Sequence, residues 1–337
     1  MNIQHNISLK NYNTFGIDVT AENFIEVTSV ETLQEVLMLN YPEKFLLGGG
    51  SNMLLTKHIS NALVIHLNIK GKEIISENDD FVHIKSHAGE NWHEFILWCI
   101  SQNFGGLENM SLIPGNVGTA PIQNIGAYGK ELKDNFVSCD ALEIASGKIK
   151  TFSKDACHFG YRNSVFKSEL KGQYIITSVT FKLTKCNHNT NTSYGAIDAE
   201  LASKNITNPS ITDISNAIIA IRQSKLPDPK VLGNSGSFFK NPVVSNDVFE
   251  KFSSKFPDAP NYKVSETETK IPAGWLIEQA GFKGKRFRDA GVHKNQALVL
   301  VNYGNATGED IWNLAMTIKT KVLNKFGIEI NPEVNIY

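Results

Sequence analysis

"SLIPGNVGTAPIQNIGAYG", residues 111–129, holds four glycines, two prolines and no charged side chain. One residue in five of the 337 is charged, so the 25 positions 105–129 would ordinarily carry about five charges; they carry one, Glu108. A loop that meets only water is not written this way. Missing side chains let main chain approach another body closely.

Residues 45–55, "FLLGGGSNMLL", run from one apolar strand through Gly48, Gly49 and Gly50 into another, with no helix after the glycines. A G-x-G-x-x-G dinucleotide site opens a helix and a P-loop ends in G-K-[ST], so neither pattern applies. The turn offers successive main-chain N–H groups, which suit a plain strand-to-strand turn and an anion nest alike. The 111–129 loop tips that balance. One stretch can take a pyrophosphate while the other wraps a large neutral ring, with Thr119, Gln123 and Asn124 as polar contacts. Together they suggest a flavin dinucleotide.

Elsewhere the chain alternates strands and helices. Ser29 can cap a helix with Leu33, Val36 and Leu37 on one face, and Asn91 one with Trp92, Phe95, Ile96, Cys99 and Ile100. Further helices are predicted over 212–224, stopped before Pro227, over 273–280, ended by Gly281, and over 309–326, ended by Gly327. "FVHIKSHAG", "YIITSVTFKL" and "QALVLVN" read as strands. The polar run "CNHNTNTSYGAID", 186–198, reads as a loop separating a middle unit from a C-terminal one. The mixture is α+β, in two or three compact units at this length.

A net charge of −1 argues against a general nucleic-acid partner. No apolar run approaches the ~20 residues of a membrane span, and "MNIQHNISLKNYNTFGID" lacks the basic-then-apolar order of a secretory signal. A cytoplasmic protein with no membrane partner is expected. Cys99, Cys139, Cys157 and Cys186 form no C-x-x-C pair and have no histidines at zinc spacing, so free thiols and no metal site are expected.

Only four of the 33 basic residues are arginine: Arg162, Arg222, Arg286 and Arg288. An arginine in this chain is therefore expected where the planar fork is needed, gripping a carboxylate or phosphate. Arg162, beside Tyr161 in the apolar "FGYRNSVFK", fits that role or a buried structural ion pair. Ser237 in "GNSGSFFKNP" is not a G-x-S-x-G hydrolase elbow. Glu333, in the tail "EINPEVNIY", reads by spacing alone as a solvated edge charge.

Eight fragments, in order and over nearly the whole chain, resemble the UDP-N-acetylenolpyruvoylglucosamine reductases (MurB): "NTFGI", "LLGGGSNMLL", "GLENMSLIPGNVGTAPIQNIGAYGKE", "FGYRNSVFK", "KLPDPKVLGNSGSFFKNP", "AGWLIEQAGFKG", "HKNQALVLVN" and "NPEV". The resemblance implies a vanillyl-alcohol-oxidase/PCMH-type FAD-binding fold in two subdomains, 1–69 with the tail 328–337, and 70–204. A separate C-terminal substrate-binding α+β domain, 205–327, would follow. Tyr194 in "TSYGAI", with the polar loop before it, is similar to the type that folds a tyrosine-bearing loop over the substrate.

Carried over residue by residue, the family's proton donor falls on Ser237 and its other catalytic residues on Arg162 and Glu333. Implied FAD contacts are Gly48, Gly49, Gly50, Ser51 and Asn52, then Ile113, Pro114, Gly115, Gly118, Thr119, Ala120, Ile122, Gln123 and Gly126. Implied UDP-sugar contacts are Tyr161, Tyr194, Lys225, Asn241, Lys283 and Gln296. "GKRFRDAG" at 284–291 departs from the family in carrying two arginines where a less charged stretch is expected. The implied reaction moves hydride from NADPH through FAD to C3 of the enolpyruvyl ether of UDP-GlcNAc, with a proton added at C2, in a monomer. A flavin oxidase on the same fold is the alternative, and a non-catalytic nucleotide-binding module would carry no flavin.

Overall fold

The computed structural model describes residues 2–337, and by its internal contacts the chain divides into two compact units. The first comprises the stretch up to Asn6, Glu22–Gly49 and Ser60–Ser224; the second comprises Ile7–Ala21, Gly50–Ile59 and Lys225–Tyr337. The helices are α1 (Val30–Leu37), α2 (Trp92–Ser101), α3 (Gly195–Ser203), α4 (Ile211–Lys225), α5 (Asn246–Ser253), α6 (Ala273–Gln279) and α7 (Gly308–Phe326).

Local chemistry sets the helix ends. The Ser29 side chain accepts from Thr32 N–H and that of Asn91 from Glu94 N–H, each satisfying a donor that the first turn leaves open. Thr307 and Asp310 form a reciprocal capping box at α7, and Gly327 closes that helix at φ 68°. Two helices were not expected from the sequence. The polar run ends in α3, whose buried contribution is only Ile197 and Leu201, and α5 buries only Phe252. Apolar stripes that short do not stand out from their surroundings.

In the first unit a five-stranded antiparallel sheet runs in the order Ile149–Ser153, Phe136–Glu143, Tyr174–Thr184, Phe81–His87, Lys72–Glu77. Helix α2 lays Trp92, Phe95, Ile96 and Cys99 into a core with Val82, Ile84, Cys139, Val179 and Phe181 of that sheet. Helix α1 does the same through Leu33, Val36 and Leu37 with Ile25, Val27, Leu63 and Ile65. The Glu43–Leu47 strand that feeds the triple glycine pairs in parallel with Ala62–His66. Helices α3 and α4 share a smaller core of Ile197, Leu201, Ile214, Ala217, Ile218 and Ile221. That core puts most of α4 in the first unit, so this division runs differently from the expected domain boundary at 204/205.

In the second unit a sheet is ordered Gly233–Ser237, Val299–Asn302, Ala290–Val292, Arg286–Phe287, all antiparallel. Buried on α7 are Ile311, Leu314, Ala315, Ile318, Val322 and Phe326. The tail strand Asn335–Ile336 pairs in parallel with Met53–Leu54. The "NTFGI" turn, 13–17, locks onto the Gly233–Ser237 strand: Asn234 N–H donates to Thr14 O at 2.9 Å, and Asn302 Nδ2 to Phe15 O at 2.9 Å.

Asn13 holds that turn in shape. Its Nδ2 donates to Leu9 O (2.7 Å) and Ile17 O (2.9 Å), while its Oδ1 accepts from Ile17 N–H (3.0 Å), all buried. Leu9 O also accepts from Tyr12 N–H (3.0 Å), so replacing Asn13 by Ala strips Ile17 N–H and O of the bonds Asn13 makes to them, which costs roughly 2–3 kcal/mol. Chemical denaturation should show a clearly lowered midpoint for Asn13→Ala; an unchanged midpoint would mean that the turn is held by its neighbours alone.

Candidate active site

The two glycine stretches meet in the first unit, with Gly48 and Gly49 close against Gly115, Asn116 and Thr119. A Cβ on Gly49 would sit 2.8 Å from Asn116 Oδ1 and 3.1 Å from Gly115 Cα, and one on Gly48 would sit 3.1 Å from Thr119 Cγ2. On the other side of the loop Gly118 lies against the strand end, where a Cβ would overlap Ala88. Gly118 N–H donates to Ala88 O (3.0 Å), Val117 N–H to Glu90 O (2.9 Å) and Trp92 N–H to Gly115 O (3.0 Å). The loop is therefore pinned along its length. Short 3-10 turns at Val117–Thr119 and Pro121–Gln123 continue it.

This arrangement fits an FAD pyrophosphate. Among the described residues the main-chain N–H groups of Gly49, Gly115 and Asn116 donate to no protein acceptor, and no side chain on Gly49 or Gly115 screens them. The other expected contacts differ in what they can offer. Ala120 is buried at 1% exposure, so only its main chain can face a ligand, whereas Pro114, Thr119 and Ile122 are exposed and Ile113 half-buried. Gln123 Oε1 sits 3.4 Å from Lys167 Nζ. In the second unit Gly50 takes φ 61° beneath Tyr12, whose carbonyl a Cβ would overlap. Ser51 is half-buried, and Asn52 O accepts from Asn335.

The first unit also carries a cationic pair. Arg162 stands at φ 53° in the Gly160–Asn163 turn and donates from Nη2 to Gly126 O at 2.8 Å. Arg222, on α4, keeps a buried Nε with no hydrogen-bond partner. Burial lowers the Arg222 pKa; Tyr128, within hydrogen-bonding reach, opposes this, and the charge of Arg162 adds to the lowering. Among the described residues neither guanidinium is in an ion pair with a carboxylate, so the structural ion pair considered for Arg162 is not formed. Burial in turn raises the Tyr128 pKa against the pull of Arg222. Tyr194, at the start of α3, meets Tyr128 edge-on with ring centroids 5.4 Å apart. Tyr161 is 70% exposed, its ring 5.9 Å from the Arg162 guanidinium.

In the second unit Ser237 and Glu333 come onto neighbouring segments despite the sequence between them. Glu333 N–H donates to Phe238 O at 2.8 Å, and Phe239 bridges Pro332. Phe238 and Phe239 are buried at 0% and 1%, anchoring the end of the strand, while Ser237 is exposed. A register shift between Asn234 and Ser237, with Gly236 at φ 69°, turns the serine out of the ladder. The expected sugar contacts here are partly occupied. Asn241 Oδ1 accepts from Ala273 N–H (2.9 Å) at the start of α6, Lys283 pairs with Glu278 (2.9 Å), and Gln296 Oε1 meets Leu298 N–H at 3.4 Å. Lys225 ends α4, exposed. The two arginines of 284–291 are absorbed locally: Arg286 and Phe287 open a hairpin, Arg286 bonds Asp289 (2.8 Å) and covers the Tyr303 ring, and Arg288 makes the turn at φ 55°.

Arg222 and Tyr128 were not named as site residues from sequence. The scarcity of arginine was the available signal for Arg222; nothing local marks Tyr128. Among the described residues no group of three or more His, Cys, Asp or Glu could hold a metal ion, no helix is long and apolar enough to cross a membrane, and all four cysteines are free thiols.

Residues 21–153 match the family described as FAD binding domain, and residues 228–337 match the UDP-N-acetylenolpyruvoylglucosamine reductase C-terminal domain. These matches and the geometry define a PCMH-type FAD-binding oxidoreductase fold with a separate C-terminal domain. The chain is 66% identical to the UDP-N-acetylenolpyruvoylglucosamine reductase of Flavobacterium johnsoniae over all of both chains, and 48% identical to that of Amoebophilus asiaticus over 100% of this chain and 99% of the other. A crystal structure of the Thermus caldophilus enzyme shares the fold, with a TM-score of 0.68 and 21% identity over 100% of this chain and 99% of that one. The chain belongs to the UDP-N-acetylenolpyruvoylglucosamine reductase family, flavoprotein oxidoreductases of peptidoglycan-precursor synthesis.

Neither glycine stretch holds a His or Cys that could bond a flavin covalently. The protein should purify yellow, and acid precipitation should release the colour. A Gly118→Val variant must move the loop off Ala88 and should retain less than about a tenth of the flavin, because a close-packed approach cannot absorb an isopropyl group. The ratio of visible flavin absorbance to protein measures this; full flavin content in the variant would remove the loop from the cofactor site.

Proposed function

We propose that the chain reduces the enolpyruvyl ether of UDP-N-acetylglucosamine to UDP-N-acetylmuramate with electrons from NADPH, in the cytoplasm and as a monomer. The observation that carries this reading is the pair Arg162 and Arg222, two neighbouring guanidiniums with no acidic partner among the described residues. Half-buried like charges side by side call for an anion that the protein itself does not provide, and the enolpyruvyl carboxylate is one. Hydride transfer from NADPH to C3 is the chemistry that FAD supplies when bound.

The protein's own residues do the rest. Arg162 holds the substrate carboxylate through its planar fork and takes up the negative charge that spreads into it as C2 becomes electron-rich. Ser237 donates the proton to C2. A hydroxyl is a weak acid, but C2 is then strongly basic, so placement matters more than acidity. Glu333 hydrogen-bonds the enol form from the segment paired with Phe238. Tyr161, Lys225, Asn241, Lys283 and Gln296 bind the UDP-sugar; for Lys283 this means exchanging an exposed ion pair worth little. The exposed Tyr194 ring supports the tyrosine-loop type of the family.

Arg162→Lys keeps the charge and loses the fork, so steady-state turnover should fall on the order of a hundredfold with flavin content intact. Near-normal turnover would make Arg162 a structural residue. For Ser237→Ala, NADPH should bleach the flavin colour at the native rate, while its return on adding the enolpyruvyl substrate should slow by about a thousandfold. Rapid mixing separates the two; equal slowing in both, or in neither, would take Ser237 out of the reaction.

A further inference from the structure

The start of α2 grips the 110–115 stretch at three points. Trp92 Nε1 donates to Met110 O at 3.1 Å, Trp92 N–H donates to Gly115 O at 3.0 Å, and between these Leu112 N–H donates to Nδ1 of His93 at 3.0 Å. Leu112 is held at φ 60°, in the left-handed region that a leucine rarely enters. The next peptide helps little, since Ile113 N–H reaches Met110 O only at 3.4 Å. The His93 bond is therefore what fixes the strained residue at the entrance to the loop.

Such a bond is conditional. Nδ1 accepts only while it carries no proton, so the single ring hydrogen must sit on Nε2. A protonated His93 would set N–H against N–H, and Leu112 would lose its partner. Two charged groups act on the ring: Arg222 from α4 and Glu94 from α2 itself, while residues 111–129 bring no charge.

We infer that His93 is a positioning residue for the flavin loop, its neutral ring holding Leu112 in place and its protonation loosening the grip on FAD. This rests on the reading of 111–129 as the flavin loop. Burial lowers the His93 pKa from 6.5, Glu94 opposes and Arg222 adds to the lowering. Sign follows from that direction: a depressed histidine contributes fully above about 6.5, and the contribution is lost as pH falls through the lowered value. FAD should be held tightly at neutral pH and released faster in acid.

The test is the rate of FAD release from the holoprotein, read as the rise of free-flavin fluorescence at about pH 7.5 and about pH 4.5. The native protein should release FAD on the order of tenfold faster at the lower pH. His93→Asn places an oxygen acceptor near the Nδ1 position and does not titrate, so its release should be slow at both. His93→Ala should release fast at both. Native-like pH dependence in His93→Asn, or native-like retention in His93→Ala at the higher pH, overturns the inference; if the Ala variant does not fold, the Asn variant decides. Gly118→Val keeps the two readings apart. If it holds FAD normally, the loop assignment fails; if it loses FAD while the His93 variants behave as native, the role of His93 fails.

Discussion

The close approach of Gly48 and Gly49 to Gly115, Asn116 and Thr119 is the constraint on which the first unit depends. A single Cβ on Gly49 would crowd the main chain of Gly115 and the side chain of Asn116, and the opposite flank of the loop is closed by Gly118 on Ala88. Between these flanks Gly48, Gly49 and Gly115 bring no side chain, and the space is shared only with the side chains of Asn116 and Thr119. That explains the missing charges: a lysine or glutamate in such a seam would be desolvated without a partner. It also explains why the helix that follows the Phe81–His87 strand begins where it does, since the first residues of α2 hold the loop by Trp92 and His93.

Strain gathers around the same region. Leu112, Asn124, Tyr128, His158 and Arg162 all take positive φ, a conformation that residues with side chains adopt when their surroundings over-determine it. The fully buried Asn124 does this explicitly, donating to Glu131 and Gly160 and accepting from Lys133 N–H. Through Gly160 it braces the turn that presents Arg162. The half-buried Arg222, its Nε enclosed, then meets Arg162 charge to charge, an arrangement that is poor for stability and useful for holding an anion. The second unit has a quieter design, in which Phe238 and Phe239 anchor a strand whose preceding residue, Ser237, is turned outward beside the Glu333 segment.

The sequence by itself determined the features whose causes are local. Caps at Ser29, Asn91 and Gly327, the stripes of α1 and α2, the span of α7 and the seam-forming glycines were legible because spacing and side-chain chemistry within a few residues decide them. The family was legible from ordered motifs, and with it the expectation that Ser237, Arg162 and Glu333 matter. Tertiary structure alone decided the rest. Helix α3 owes its place to packing with α4, the Arg162–Arg222–Tyr128 cluster joins residues from separate loops and a helix, and the pairing of Glu333 with Phe238 spans most of the second unit's sequence. These depend on long-range burial and hydrogen bonding, which one-dimensional spacing does not record. The His93 bond to Leu112 belongs with them, because a histidine inside an amphipathic helix gives no sign of which main-chain N–H it will meet.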